Sequence, residues 1–506
     1  MFNHIKGKKW LILFNVFFLC ALFLESIFFM LRPMHADINN FLSDLTGLQT
    51  NYVLIIMLIF LVPLLYSLIF VARYSINIKK HEDVRANLAN KILGVTGTIF
   101  LIGFFTLLVY TFGSDASILI YMLQYYSPFI FLFIALAFVI FLFTLLDEMI
   151  ARAKTKFDNF RFPKIRKYSP LVFVGLFYCW LLIMPLIFEP VYVIRGELPT
   201  KPLVIAHRGG ARYAPENTLP AVTYAGQIGA DGVEFDVQIS YDGIPFLMHD
   251  DTLKRTTNVS DSYPTLVDTP ASFFNISQLQ TLNAGAWFVA QDPSDKISEG
   301  EVPADLLNDY QKATVPTLEQ ELTYLKNNNL IANVDFKTPP TNHPFYDQYF
   351  NICLSVITAA NYDSKVWITS YNPEWLDNVT EEYPDLVTAI SLELYDHMTP
   401  EEFLATGFDM INTAHQKRNS EFRAYYEAGI KVNTWTVNMA SRFEQLWALG
   451  VYSVTTDEPI VYIRIARPTL LMDKTTYILI WVLSYTVGVA IIVGIKLYLI
   501  KKGKYN

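Results

Sequence analysis

Apolar residues in this chain follow two distinct patterns. Long uninterrupted runs crowd the first 195 residues, roughly at 10–31, 52–72, 92–112, 126–146 and 171–194, and a sixth covers 476–500. Each is close to the ~20 residues a helix needs to cross a bilayer's hydrocarbon core. A buried core helix can be as apolar, but five such runs at this density leave nothing soluble to cover them. The pattern predicts six transmembrane helices, the fourth lengthened by the fairly apolar 117–125. The first run lacks a small-residue cleavage site and more spans follow, so it reads as a helix rather than a signal peptide.

Between the fifth and sixth runs the pattern changes to short β-type runs separated by helix-length gaps. Strand candidates fall at 203–207, 232–237, 331–336, 366–370, 388–392, 408–412, 431–435 and 452–455. Eight such runs predict a (β/α)8 barrel, with the extra chain at about 250–318 as an inserted subdomain. No internal repeat of solenoid length is present. The expected organisation is a membrane helical bundle plus an α/β TIM barrel. It comprises a five-helix membrane domain at 1–195, the barrel at 196–470, a sixth helix at 476–500 and a tail at 501–506.

Charge orients this layout. Basic residues gather at Lys6, Lys8 and Lys9, in the loops 73–91 and 147–168, and at Lys501, Lys502 and Lys504, whereas the loop at 113–117 has none. By the positive-inside rule both termini face the cytoplasm and the barrel faces outside or the lumen. Only 17% of the chain is charged and 52% is hydrophobic; soluble proteins carry about 25% charge. Residues 196–475 hold 18 Lys and Arg against 37 Asp and Glu, a net −19. That balance disfavours nucleic acid as a partner and tolerates divalent cations. Three sequons, at Asn258, Asn275 and Asn378, fit an exocytoplasmic glycoprotein but are near chance frequency. Cys20, Cys179 and Cys353 are too scattered for a disulfide framework or a CxxC zinc site. No Walker loop, GxSxG elbow, HExxH or dinucleotide fingerprint occurs.

Chemistry concentrates after the first strand. His207 and Arg208 lie where it runs into a Gly-rich turn, the barrel end at which active sites are built. A histidine beside a fixed cation suits acid–base work on a phosphate ester, since Arg clamps two phosphate oxygens at once. Alone, the pair reads more readily as a surface turn. Glu234 and Asp236, two apart on a strand, leave the same face and repel unless a cation lies between them. Hard oxygen ligands at this spacing suit Ca²⁺ or Mg²⁺. A two-residue turn at Asp242-Gly243 pairs Tyr241 with Ile244 and sets Asp236 opposite His249. Asp335, with Lys337 two residues on, is a third ligand and phosphate contact or, on equal terms, a strand-end salt bridge. Trp435 is either barrel core or the floor of a pocket. Glu25 in the first run faces other helices.

The ordered set His207-Arg208-Gly209, Pro215-Glu-Asn-Thr218, Gly229 through Val237, Asp242-Gly243, His249-Asp250, Arg255-Thr-Thr257, Trp435-Thr-Val-Asn438 and Thr456-Asp457 resembles the glycerophosphodiester phosphodiesterase family. The resemblance covers about residues 200–460. Five spans before the barrel and one after it resemble the six-transmembrane animal branch, as do Leu282 through Phe288 and Thr338 through His343. It implies His207 and His249 as an acid–base pair, with His207 as base by the family's default. It also implies Arg208 as a phosphate contact and a divalent metal, Ca²⁺ ahead of Mg²⁺, on Glu234, Asp236 and a third acid. That acid is usually Glu in a Glu-x-Lys motif and here is Asp335 before Lys337.

The expected function is metal-dependent hydrolysis of glycerophosphoinositol- or glycerophosphocholine-type diesters by a multi-pass protein of the plasma membrane. Arg208, Lys337 and Trp435 would bind substrate. Cleavage of a lysophospholipid or of a glycosylphosphatidylinositol anchor is the alternative, and a non-catalytic membrane receptor the second. A transporter ranks last, because apart from Glu25 the spans are poor in charge.

Overall fold

The β-type runs form one closed sheet. In chain order they are β1 (Leu203–His207), β2 (Gly232–Ile239), a short β3 (Pro245–Leu247), β4 (Ile331–Phe336), β5 (Val366–Ser370), β6 (Val387–Leu392), β7 (Met410–Ala414), β8 (Lys431–Trp435) and β9 (Ser453–Thr456). All but β3 are parallel, and β9 pairs with β1 while β1 pairs with β2, which closes an eight-stranded TIM-type barrel. The computed structural model describes residues 8–30, 50–79, 86–111, 196–468 and 471–501, with a few scattered positions between them. The chain divides into two compact units, 1–195 with 472–506, and 196–471.

Strand periodicity sorts the barrel's side chains. Val334, Ile368, Ile390, Ile411, Val432 and Val454 are buried on one face. Their alternates Asn333, Thr369, Ser391, Asn412, Asn433 and Thr455 are buried too, and form a polar layer. The layer is knitted by hydrogen bonds: Thr369 Oγ1 to Asn333 Oδ1 (2.6 Å), Asn412 Nδ2 to Ser391 Oγ (3.1 Å), and Asn433 Nδ2 to both Asn412 Oδ1 (2.7 Å) and Thr455 Oγ1 (3.0 Å). Buried polar groups persist only when satisfied in this way. Residues two further on share that face. Asp335, Ala414 and Trp435 are therefore the next layer at the barrel's C-terminal mouth, while Tyr371, Glu393 and Asp457 follow the ends of their strands there.

The hairpin differs from the sequence expectation by one residue. Val237 pairs with Leu247 and Ile239 with Pro245, so Met248, not His249, stands opposite Asp236. The turn has three residues, not two. Ser240 N donates to Ile244 O and Ser240 Oγ accepts from Ile244 N, with Gly243 at φ 83° supplying the left-handed step. The sixth parallel strand, β7, expected at 408–412, runs Met410–Ala414. Gly407 ends the preceding helix Pro400–Thr406, and the Asp409 carboxylate accepts from Thr388 N, so these residues are spent on the connection. Residues 250–318 form short helices and turns whose Leu253, Phe274, Leu279 and Leu282 share a core with Phe246 of β3.

In the first unit, helices Lys8–Met30, Tyr52–Lys79 and Leu88–Thr111 share a core of Phe14, Phe17, Leu24, Phe28, Phe60 and Leu101. Lys474–Lys501 is a further helix. Among the described residues one segment, Tyr52–Tyr74, is long and apolar enough to cross a membrane. The expected fourth span, most of the fifth and the basic loop 147–168 lie outside the described residues. Val193 and Ile194, read as the end of the fifth span, instead pair as a short parallel bridge with Met472 and Asp473.

Candidate active site

The barrel register decides which residues meet at the mouth. His207 ends β1 directly opposite Glu234 on β2, and Asp236 lies opposite Asp335 on β4. Partners on neighbouring strands share a face, so three acids and a histidine converge without any help from loops. One oxygen from each of Glu234, Asp236 and Asp335 lies within 4.8 Å of the others. Asp236 is 1% exposed. Burial and the neighbouring Asp236 push the Glu234 carboxyl up to about 7, and burial also raises Asp335. Burial opposes ionisation of Asp236 as well, but Lys337 and Arg208 outweigh it and hold Asp236 low. A crowded, partly protonated set of hard oxygen donors is what a divalent cation would neutralise, so the residues present fit one.

His207 is held from two sides. Its Nδ1 is 2.6 Å from Asp457 Oδ1, and its Nε2 is 3.7 Å from Glu234 Oε2. Burial works against an imidazolium, yet Glu234 and Asp457 prevail and raise His207 to about 9. Asp457 is itself fixed by Asn438 Nδ2 on Oδ2 (2.6 Å), while Asn438 Oδ1 accepts from Asp457 N (3.0 Å).

Arg208 follows in the left-handed region at φ 50°, as does Asn217 at φ 55°, a backbone cost of about 1 kcal/mol each. The Asn217 N–H to Arg208 O bond (3.1 Å) ties the two together. That strain turns Arg208 Nε to 3.1 Å from Asp236 Oδ2 and its Nη1 to 3.0 Å from Glu216 Oε1. Asn217 grips Asp236 twice, Nδ2 to Oδ2 at 2.8 Å and Oδ1 from the Asp236 N–H at 3.1 Å.

His249 reaches the site although the hairpin register differs. It follows β3 and the chain leaves the sheet after Met248, bringing the imidazole within electrostatic reach of Asp236 and Asp335. Its Nδ1 is 2.9 Å from Asp250 Oδ1. Arg255 bridges Asp250 and Glu216 with four hydrogen bonds of 2.6–2.8 Å, so one guanidinium links the arm carrying His249 to the loop carrying Arg208. Those bonds depress Asp250 to about 2. Lys337 Nζ lies 2.6 Å from Asp335 Oδ2 and 3.1 Å from Asp236 Oδ1. Trp435 ends β8, half-buried at the mouth, its indole Nε1 enclosed and without a hydrogen-bond partner among the described residues.

Every residue expected from the sequence thus lies at this end of the barrel. Asp457, Asn438, Glu216, Asn217 and Arg255 were given no role from sequence. Each falls in a stretch that carries the family resemblance, but their pairing depends on closure of the sheet and on a strained turn.

The sequence pattern of the glycerophosphoryl diester phosphodiesterase family matches residues 207–461. The chain is 34% identical over 329 residues to the Gallus gallus "glycerophosphodiester phosphodiesterase domain-containing protein 5", covering 63% of this chain and 52% of that one. It is 32% identical over 319 residues to the Mus musculus "glycerophosphoinositol inositolphosphodiesterase GDPD2", covering 62% and 57%. Among solved structures, an Oleispira antarctica phosphodiesterase in complex with the product sn-glycerol-3-phosphate aligns at 25% identity and a TM-score of 0.42, covering 52% of this chain and 95% of that one. The chain spans about half the length of the curated relatives it matches.

Proposed function

This chain belongs to the glycerophosphoryl diester phosphodiesterase family, and from that premise we propose that it hydrolyses glycerophosphodiesters of the glycerophosphoinositol or glycerophosphocholine type. The observation that carries the reading is the arrangement of two histidines, each braced by a carboxylate, around three clustered acids at the barrel mouth. Arg208 and Lys337 bind the phosphate oxygens, and Trp435 floors the pocket beside them. Asp457 fixes His207, and Asp250 fixes His249, so that each imidazole presents Nε2 to the phosphodiester. One histidine takes the proton of the attacking hydroxyl, from a neighbouring alcohol or water, and the other protonates the leaving alkoxide. Glu234, Asp236 and Asp335 would hold a divalent metal, Ca²⁺ ahead of Mg²⁺, which supplies Lewis-acid stabilisation of charge on the phosphate.

The membrane part of the reading comes from the sequence: a multi-pass protein of the plasma membrane, both termini cytoplasmic, with the barrel at the outer or lumenal face. The helix Tyr52–Tyr74 favours a second substrate class, because a tethered barrel works beside lipid head groups. On that reading it cleaves lysophospholipids or glycosylphosphatidylinositol anchors.

The test is phosphodiesterase activity of the detergent-purified full chain on glycerophosphoinositol, glycerophosphocholine and lysophosphatidylcholine, with Ca²⁺, Mg²⁺ or EDTA. Metal-dependent turnover that disappears in His249→Ala supports the reading. A folded, metal-loaded protein that turns over none of them overturns it for these substrates.

A further inference from the structure

We propose that Trp287, in the inserted subdomain, is a positioning residue for His249: its indole holds the Arg255 guanidinium against Asp250, the carboxylate that orients the imidazole. The inference rests on the phosphodiesterase reading above. Arg255 makes four hydrogen bonds of 2.6–2.8 Å, two to Asp250 and two to Glu216. Its side chain is nevertheless 43% exposed, and ion pairs open to water hold their geometry weakly. A further contact supports this one. The guanidinium carbon lies 6.0 Å from the centre of the Trp287 ring. A cation at that range is attracted by the negative face of the indole, and the ring screens it from water on that side.

The indole is fixed by contacts of its own. Trp287 is the second residue of the helix Ala286–Gln291. Its Nε1 donates to Ala284 O (3.0 Å), and its ring meets the fully buried Phe288 edge-on at 5.8 Å. Asn283 Oδ1 accepts from Gly285 N (3.1 Å) and Ala286 N (2.7 Å), which sets the start of the helix. Gly285 packs so closely that a Cβ there would overlap the Tyr310 carbonyl oxygen. Asn283 also exchanges bonds with Asn258: Asn283 N donates to Asn258 Oδ1 (2.8 Å), and Asn258 N donates to Asn283 O (3.1 Å). Asn258 lies three residues beyond Arg255, so the turn carrying the indole is bolted to the segment carrying the guanidinium.

This gives the insertion a part in the chemistry. Strands of the barrel deliver His207, Glu234, Asp236 and Asp335, whereas the chain has left the sheet when it reaches His249. The place of that imidazole is set instead by a relay: His249 on Asp250, Asp250 on Arg255, Arg255 against Trp287. The N–H groups of a guanidinium all lie in its plane, so the two carboxylates secure its edges and the aromatic contact restrains the rest. Small displacements of an acid or base cost rate steeply. Loss of the indole therefore acts on kcat, through the angle at which His249 meets the phosphodiester.

The experiment measures kcat and KM of the metal-loaded full chain on the diester it turns over, glycerophosphoinositol or glycerophosphocholine. The variants are Trp287→Leu, Trp287→Phe, Arg255→Ala and the Arg255→Ala/Trp287→Leu pair. Trp287→Leu keeps apolar bulk and removes the aromatic face, so kcat falls about fivefold while KM stays within about twofold of wild type. Trp287→Phe restores a face and recovers kcat to within about twofold of wild type. In the Arg255→Ala background the leucine lowers kcat by no more than about twofold, because the contact is already gone. A loosened fold would lower kcat in both backgrounds, so a double variant about fiftyfold below wild type overturns the proposal. A Trp287→Leu kcat within about twofold of wild type, or a Trp287→Phe kcat as low as that of the leucine variant, overturns it too. If wild type turns over neither diester, the phosphodiesterase reading fails, and solvent exchange of the Arg255 Nε–H, followed by NMR, decides the contact separately. Exchange about fivefold faster in Trp287→Leu supports it, and equal rates overturn it.

Discussion

His207 and Asp457 stand 250 residues apart in the chain and 2.6 Å apart in the fold. The first strand of the barrel delivers one and the residue after the last strand delivers the other, so the contact exists only because β9 pairs with β1. Asp457 receives Asn438 on its second oxygen, which leaves the first free to orient the imidazole. A carboxylate in that position fixes both the tautomer and the direction of Nε2.

Replacing Asp457 by Asn keeps the shape and removes the charge. The amide can offer an N–H to Nδ1 and impose the opposite tautomer, so kcat is expected to fall about 10- to 10³-fold with KM changed far less. Steady-state kinetics read the split, and ¹⁵N shifts of the His207 ring read the tautomer. Wild-type kcat in Asp457→Asn would remove the orienting role.

The acid cluster makes metal binding depend on pH with a defined sign. Glu234 titrates at about 7 in the fold, above its ordinary value near 4.3. As pH rises from about 4 to 8, the folded protein must ionise a crowded carboxyl that the unfolded chain ionises readily, so metal-free stability falls over that window. A cation relieves this repulsion. The rise in thermal midpoint on adding Ca²⁺ or Mg²⁺ should therefore be larger at pH 8 than at pH 5, and should shrink in Glu234→Gln. A pH-independent rise would count against Glu234 as a ligand. The same loading draws negative charge away from His207, and its pKa, about 9 without metal, moves down when followed by NMR.

Arg255 serves His249 at one remove. It binds both oxygens of Asp250, which in turn holds His249 Nδ1. Arg255→Ala leaves Asp250 free to turn, and kcat is expected to fall about tenfold while metal affinity stays near wild type. Stability carries a second signature. Asp250 is depressed to about 2, so its contribution is present above its unfolded pKa near 3.9 and is lost as pH falls toward 2. Urea unfolding at pH 7, 4 and 3 should show a flatter acid dependence in the variant; an unchanged slope would mean that another group holds Asp250.

The barrel was legible in the sequence because each strand is a short apolar run between helix-length gaps, and the eight placements agree with the eight parallel strands to within two residues. Glu234 and Asp236 were legible because period-2 geometry is local. The hairpin register was not, since Asp242-Gly243 suits a two-residue turn as well as the three-residue turn that Ser240 stabilises by binding Ile244 N. The braces on the histidines were also hidden. Asp457 meets His207 through sheet closure, and Asn217 grips Asp236 only because Arg208 and Asn217 adopt left-handed backbone that no sequence periodicity announces.

Gly209 tests how tightly that turn is built. It sits at φ 87°, where a side chain is strained, and a Cβ there would lie 2.5 Å from Ala221 Cβ and 2.9 Å from the Ala221 carbonyl carbon. The left-handed backbone costs an alanine about 1 kcal/mol, and the overlap adds about 1–3 kcal/mol because the backbone of the helix Leu219–Ile228 must move. Gly209→Ala should therefore lose about 2–4 kcal/mol in urea unfolding of the barrel. Arg208, one residue before, would shift with it, so activity drops further than stability alone explains. The Ala221→Gly change removes the closest overlap but not the backbone one. The double variant should recover part of the loss, and the cycle gives the coupling directly. A Gly209→Ala protein within about 0.5 kcal/mol of wild type would show that the turn and the helix can separate, and that Arg208 is not held by their contact.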